Sequence, residues 1–174
     1  VSNRLTAVDL NTNTVTGNSI TVPGQATGVT VGPNGLVYVS TVNLVQIIDG
    51  RSMTIMREIQ LNARPGKLLF TPDGVNALAV NGTPITGSSV IMFDVAGQKV
   101  QGTIPNFQVT LDRLVFGAGN RIYALSNQTA QLYEITTSPL NINPPQFSGI
   151  SSIPNVTDIA VSGEVPNSRF MFLS

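Results

Sequence analysis

The sequence contains no cysteine and no histidine. The first absence excludes disulfides, thiolate metal sites and a cysteine nucleophile. The second removes the commonest general base and the commonest transition-metal ligand. Tryptophan is missing too, and aromatic residues fill only 6% of 174 positions, so a carbohydrate-stacking platform has little to be built from. Charge is equally scarce: 10% of residues carry it, against roughly 25% in an ordinary domain. Nine Lys and Arg balance nine Asp and Glu, and no stretch is basic enough to track phosphates, which excludes nucleic acid as a main partner. The longest apolar runs, such as Leu68-Leu69-Phe70, fall far short of the roughly 18 residues of a membrane span. No secretion leader is visible, but the chain starts at Val1 rather than Met, so an upstream leader would lie outside it.

What remains is a surface of Thr, Asn, Ser, Gln and Gly. Uncharged polar surfaces of this kind are common in secreted and cell-envelope proteins of bacteria, and the chain is expected to be secreted, periplasmic or envelope-bound.

Within this composition a pattern repeats. Short apolar stretches end in an acid and a turn: Leu5-Thr6-Ala7-Val8-Asp9, Val45-Gln46-Ile47-Ile48-Asp49, Val90-Ile91-Met92-Phe93-Asp94 and Gln131-Leu132-Tyr133-Glu134. The acids are 40, 45 and 40 positions apart. After each follows another β-rich run, at Thr14 to Val22, Thr54 to Leu61, Lys99 to Ile104 and Asn141 to Ile153. A second landmark keeps the same period. Gly28 to Val31 leads through Gly32-Pro33-Asn34-Gly35 into Leu36 to Ser40, and Lys67 to Phe70 through Thr71-Pro72-Asp73-Gly74 into Ala77 to Asn81. Leu114 to Phe116 leads through Gly117 to Asn120 into Ile122 to Ser126, and Ile159 to Val161 through Ser162 to Ser168 into Phe170 to Ser174. Pro presets φ and Gly accepts φ > 0, so these turns close hairpins between β-branched and aromatic runs.

Four strands per 40 to 47 residues is the period of a β-propeller blade. No segment shows a helical period, and immunoglobulin-like sandwiches need about 100 residues each without such a repeat. The expected fold is therefore all-β, a β-propeller of four-stranded antiparallel blades. The repeats run approximately 1–40, 41–81, 82–126 and 127–174 in a single domain or propeller segment.

The landmarks resemble the YVTN-type propeller repeats of bacteria, with NHL repeats close behind. The resemblance rests on Thr71-Pro72-Asp73-Gly74, Leu36-Val37-Tyr38-Val39-Ser40, Val45-Gln46-Ile47-Ile48-Asp49 and the approach Arg64-Pro65-Gly66. It covers nearly the whole chain and loosens in the last repeat, at Gly163-Glu164-Val165-Pro166-Asn167. It implies the architecture and transfers no activity, since such families include surface-layer proteins, scaffolds and enzymes.

In the usual blade the innermost strand comes first, which puts inner strands near 28–32, 67–71, 111–116 and 156–161. The chain then starts and stops at the end of a second strand, giving three whole blades and two half blades. Either the halves meet and close a four-bladed ring, or the chain is part of a larger propeller. The absent Met and the cut through a repeat favour the larger propeller. Open blade edges would also permit self-association, with a second copy completing a ring of eight blades.

The repeated acids Asp9, Asp49, Asp94 and Glu134 read as hairpin residues that accept backbone N–H bonds; a ring of carboxylates around a cation is the weaker alternative. The loops entering the inner strands crowd around the central channel and depart from the repeat. They offer Gln25, Thr27, Arg64, Lys67, Asp112, Arg113, Asn155, Thr157 and Asp158. Of these, Gln25, Thr27, Arg64, Lys67, Asp112, Arg113 and Asp158 are the candidate binding residues at the channel mouth, unless Arg113 merely pairs with Asp112 or Asp158 to plug the funnel. The Gly- and Thr-rich stretch Asn81 to Ser89 reads as a long loop on the same face. Three sequons begin at Asn81, Asn127 and Asn155. Aromatics such as Tyr38, Phe70, Phe93, Phe116, Tyr123 and Tyr133 lie on strands, as core between blades.

No catalytic constellation, metal site or cofactor is expected. The expected function is a non-catalytic scaffold for a protein or small ligand at the propeller face. The alternative is a segment of a larger propeller enzyme, a lyase or hydrolase, with catalytic residues outside this chain.

Overall fold

The computed structural model describes residues 3–61, 64–83, 87–107, 110–116, 121–126, 129, 131–137, 140–143, 159–161 and 171–173. They form strands only, arranged as five antiparallel sheets. The first half-sheet pairs β1 (Arg4–Asp9) with β2 (Thr14–Thr21). Blade I follows, ordered β3 (Ala26–Val31), β4 (Val37–Thr41), β5 (Leu44–Asp49) and β6 (Thr54–Gln60). Blade II runs β7 (Leu69–Phe70), β8 (Asn76–Thr83), β9 (Gly87–Asp94) and β10 (Lys99–Phe107). Blade III runs β11 (Arg113–Phe116), β12 (Ile122–Ser126), β13 (Gln131–Thr137) and β14 (Leu140–Asn143). A last half-sheet pairs β15 (Ile159–Val161) with β16 (Met171–Leu173). Among the described residues three whole blades and two halves are thus present, and the halves do not share a sheet.

Turn chemistry sets the hairpins. Gly35 donates to the Gly32 carbonyl at 2.9 Å and Gly74 to that of Thr71 at 2.8 Å. Both glycines sit at positive φ, +77° and +71°, where a side chain would be strained. The third-to-fourth-strand turns are built on the aspartates. Asp9 accepts from Asn11 N at 2.8 Å, Asp49 from Arg51 N at 2.8 Å, and Asp94 from Gly97 N at 3.1 Å. Four residues after each aspartate the chain turns left-handed, at Asn13, Met53 and Gln98.

Glu134 does not belong to this series. Ile122 pairs with Ile135 as Val37 pairs with Ile48 and Ala77 with Phe93. The counterpart of Asp49 and Asp94 is therefore Thr136, while Glu134 lies inside β13 opposite Tyr123. Its carboxylate stands 3.8 Å from the Arg121 guanidinium; the hydrogen bond with the Tyr123 side chain, and then the Glu134 charge, raise the arginine's pKa.

The core lies between sheets. In the middle strands alternate residues face opposite neighbours, so both faces are buried and the sequence reads as unbroken apolar runs. Tyr38, Val45 and Ile47 of blade I meet Ala77, Ile91 and Phe93 of blade II. Leu78, Val90 and Met92 of blade II meet Ile122, Ala124 and Ile135 of blade III. Tyr123, Leu125 and Leu132 meet Ile159, while Ile20 and Val22 meet Val39 and Ile48. Each buried Val, Leu, Ile, Phe or Met among them contributes about 1.5–3 kcal/mol. Tyr38 also stacks edge-on against Phe70, centroids 4.9 Å apart. Burial raises the Tyr38 pKa, partly offset by the bond from Asn34.

The stretch Asn81 to Ser89 is not a loop throughout. Asn81 pairs with Ser89, Gly82 with Ser88 and Thr83 with Gly87, so β8 and β9 run on as a ladder. Residues 84–86, the turns at 117–120 and 162–168, and the stretch from 144 to 153 lie outside the described residues. So do Asn127, Asn155, Thr157 and Asp158.

Candidate functional site

The inner strands begin close together, and three of their entrances frame one cleft of about 260 Å³. Blade I contributes Thr27, blade II contributes Arg64, Pro65 and Gly66, and blade III contributes Thr110, Leu111 and Asp112. Val80 and Ser88, from the second and third strands of blade II, complete the lining.

Main-chain and side-chain bonds hold these entrances in place. The Thr27 hydroxyl donates to the Pro65 carbonyl and the Thr30 hydroxyl to that of Leu68 at 3.0 Å. The Arg64 amide donates to Asn81 Oδ1 at 2.6 Å, and Gly66 N to the Val80 carbonyl at 2.8 Å. Pro65 pairs with Asn81 as a single bridge, extending the short β7 toward the mouth. On the blade III side, Leu111 N donates to Ser88 Oγ and Asp112 N to the Leu125 carbonyl, both at 2.8 Å.

The functional groups sit on this frame. Arg64 is exposed, and its Nη2 donates to Gln25 Oε1 at 3.1 Å, so Gln25 orients the guanidinium without lining the cleft. Asp112 is exposed on the neighbouring blade III. Of the residues named from sequence, Thr27, Arg64 and Asp112 line one cleft and Gln25 braces Arg64. Lys67 and Arg113 are exposed and do not line this cleft, and Asp158 lies outside the described residues. Val80 was not named from the sequence, and Ser88, placed on this face as part of a loop, reaches the cleft from a strand ladder instead. Their place follows from the register of β8 with β9, which spacing in the sequence does not reveal. Chemically the cleft offers a planar multi-donor cation, a carboxylate and hydroxyls, a set suited to holding a polar group.

No protein-family model matches the sequence, and no curated protein matches it. Solved structures do. Hydrazine synthase from Kuenenia stuttgartiensis superposes with a TM-score of 0.76 at 18% identity, covering 99% of this chain and 55% of that one. Virginiamycin B lyase from Staphylococcus aureus gives 0.70 at 15% identity, over 94% of this chain and 54% of the other. Dihydro-heme d1 dehydrogenase NirN gives 0.68 at 16%, over 99% and 37%. These neighbours are β-propeller proteins. The chain has the β-propeller fold. It spans about half the length of the first two of these structures and less of the third, so its sheets match an arc of a larger propeller. Among the described residues no helix is long and apolar enough to cross a membrane. At such identities the likeness establishes fold alone.

Proposed function

We propose that this chain is a non-catalytic propeller scaffold of an extracytoplasmic bacterial protein, which captures one small polar group at the channel-mouth cleft. The observation that carries the reading is the convergence of three blade entrances on that cleft, with Arg64 braced by Gln25 on one wall and Asp112 on another. At about 260 Å³ the space falls below the roughly 300–1,000 Å³ that encloses a drug-sized ligand. It suits a protruding side chain of a partner protein or a small zwitterion, its carboxylate on Arg64 and its cationic end toward Asp112. The repeat landmarks at Thr71-Pro72-Asp73-Gly74 and Val45 to Asp49 support kinship with YVTN-type bacterial repeats. The scarcity of charge supports an extracytoplasmic setting.

Titration with glycine, acetate and inorganic phosphate, followed by amide NMR, tests the reading. Glycine is expected to shift Gly66, Thr110 and Asp112 more than either simple anion does, and Arg64→Ala to abolish the shifts with the fold intact. Equal, small shifts for all three, unchanged in Arg64→Ala, would refute it.

A second reading has one observation behind it: the neighbours' names are those of a synthase, a dehydrogenase and a lyase. On that reading the chain is an arc of a larger propeller enzyme whose catalytic residues lie elsewhere. A parent sequence with histidines or clustered acids at further inner-strand entrances would favour it.

A further inference from the structure

The entrances to the three inner strands are built alike except for one side chain. In blade I, Ala26 pairs with Thr41 and Gly28 with Ser40, so Thr27 is the extra residue of a bulge. In blade II, Pro65 pairs with Asn81 and Gly66 N donates to the Val80 carbonyl. In blade III, Arg113 pairs with Leu125 and Asp112 N donates to the Leu125 carbonyl. Ser40, Val80 and Leu125 are equivalent by the pairing of second with third strands. Thr27, Gly66 and Asp112 therefore occupy one position of the repeat, and Pro65 and Leu111 occupy the position before it.

Thr27 fills the seam that it faces. Its hydroxyl donates to the Pro65 carbonyl and so ties blade I to blade II. A side chain on Gly66 would run the same way, toward the Leu111 carbonyl of blade III. Glycine has none, and the cleft opens there, with Gly66 on one side and Thr110, Leu111 and Asp112 on the other. The backbone does not demand the glycine, since its φ lies outside the left-handed region. Packing does not demand it either. A Cβ on Gly66 would meet the Val80 carbonyl oxygen at 3.4 Å, an ordinary contact, and beyond its chain neighbours no other described atom within 4 Å. A threonine would add a tie between blades and reduce the freedom of the unfolded chain. The fold forgoes that stability at Gly66, as binding sites do.

We propose that Gly66 is the residue that sets what the cleft admits, and that the occupant is a small free α-amino acid. Its ammonium group stands where a side chain on Gly66 would stand. It donates to the Leu111 carbonyl as the Thr27 hydroxyl donates to that of Pro65, and the carboxylate meets the Arg64 guanidinium. The inference rests on the channel-mouth site proposed above and narrows its ligand to one class.

Glycine titration followed by amide NMR, on the unaltered chain and on two variants, tests this. Gly66→Thr should weaken glycine binding about tenfold or more, as loss of one hydrogen bond to a charged group does. Its β-sheet circular dichroism should be retained and its thermal midpoint no lower than that of the unaltered chain. Gly66→Ala adds only the Cβ and should weaken binding less. Even without ligand, Gly66→Thr should move the Asp112 amide nitrogen, which adjoins the Leu111 carbonyl, in the direction that glycine moves it in the unaltered chain. Trimethylglycine, with the same charges but no N–H donor, should not bind. Glycine shifts that Arg64→Ala abolishes but both Gly66 variants leave intact would overturn this inference and spare the site. An absence of shifts in the unaltered chain would overturn both. Trimethylglycine binding as tightly as glycine would overturn the placement of the ammonium. Loss of the fold in Gly66→Thr would show that packing requires the glycine, and the inference would fail.

Discussion

Gly28 and Lys67 meet backbone to backbone. A Cβ on Gly28 would lie 2.6 Å from the Lys67 Cα and 2.7 Å from its nitrogen. Blades radiate from an axis, so their inner strands come nearest one another, and here the approach leaves no room for even a methyl group. The flanking hydroxyls of Thr27 and Thr30 reach across the same seam to the Pro65 and Leu68 carbonyls. Gly28→Ala must therefore move main chain rather than a side-chain tip. It is expected to cost about 1–3 kcal/mol, the range of overpacking in a tight interior, read from urea unfolding. A loss under about 0.5 kcal/mol, typical of surface changes, would mean that the seam yields freely.

The hairpin acids make stability depend on pH. Arg51 N, and then Ser52, hold the Asp49 carboxylate below its ordinary value of 3.8. The Thr71 hydroxyl, and then Val75 N, do the same for Asp73. A carboxylate with a depressed folded-state pKa stabilises the fold fully above its unfolded pKa, and that contribution is lost as pH falls through the folded value. Unfolding midpoints are expected to hold steady down to about pH 4 and to fall below it. Asp49→Asn keeps an acceptor for the turn but cannot titrate, so its midpoint should fall less steeply in acid. An acid slope identical to that of the unaltered chain would show that Asp49 takes no part.

Strand identity and the blade count were legible in the sequence because turn chemistry is local. Gly32-Pro33-Asn34-Gly35 and Thr71-Pro72-Asp73-Gly74 announce hairpins whatever surrounds them, and runs such as Val45 to Ile48 announce strands covered on both faces. Register was less legible. Glu134 looks like Asp49 and Asp94 because each ends an apolar run, but the cross-strand partner of Ile122 puts Thr136 in that place. Asn81 to Ser89 looks like a loop because its side chains are small and polar, while a ladder needs only main-chain groups. The same gap hid part of the cleft. Arg64, Thr27 and Asp112 follow from where loops enter inner strands, whereas Val80 and Ser88 reach it through the pairing of β8 with β9.

The left-handed residue after each hairpin aspartate offers a stabilising change. Asn13, Met53 and Gln98 all have φ near +50°, a conformation that costs most side chains about 1–2 kcal/mol and asparagine less. Gln98→Gly relieves that strain but adds freedom to the unfolded chain, worth roughly 0.5–1 kcal/mol. A net gain of about 0.5 kcal/mol is expected, and Asn13→Gly should gain less. Thermal unfolding of the two variants side by side checks the order, and a larger gain at Asn13 would contradict it.

Gln46 offers the opposite kind of test, in the core. It is 0% exposed in the third strand of blade I, where blade II has Ile91 at 4%. Its Nε2 donates to Glu58 Oε1 at 2.7 Å, but its own Oε1 is buried with no partner among the described residues. Leaving a buried acceptor unpaired costs about 1–3 kcal/mol. Glu58 is exposed, so water replaces the lost donor without a burial cost. Gln46→Ile removes the orphaned oxygen and restores the residue type of the neighbouring blade. Stability is expected to rise by about 1 kcal/mol, measured by urea unfolding. A fall of that size would show that the carboxamide satisfies both of its ends in the folded protein.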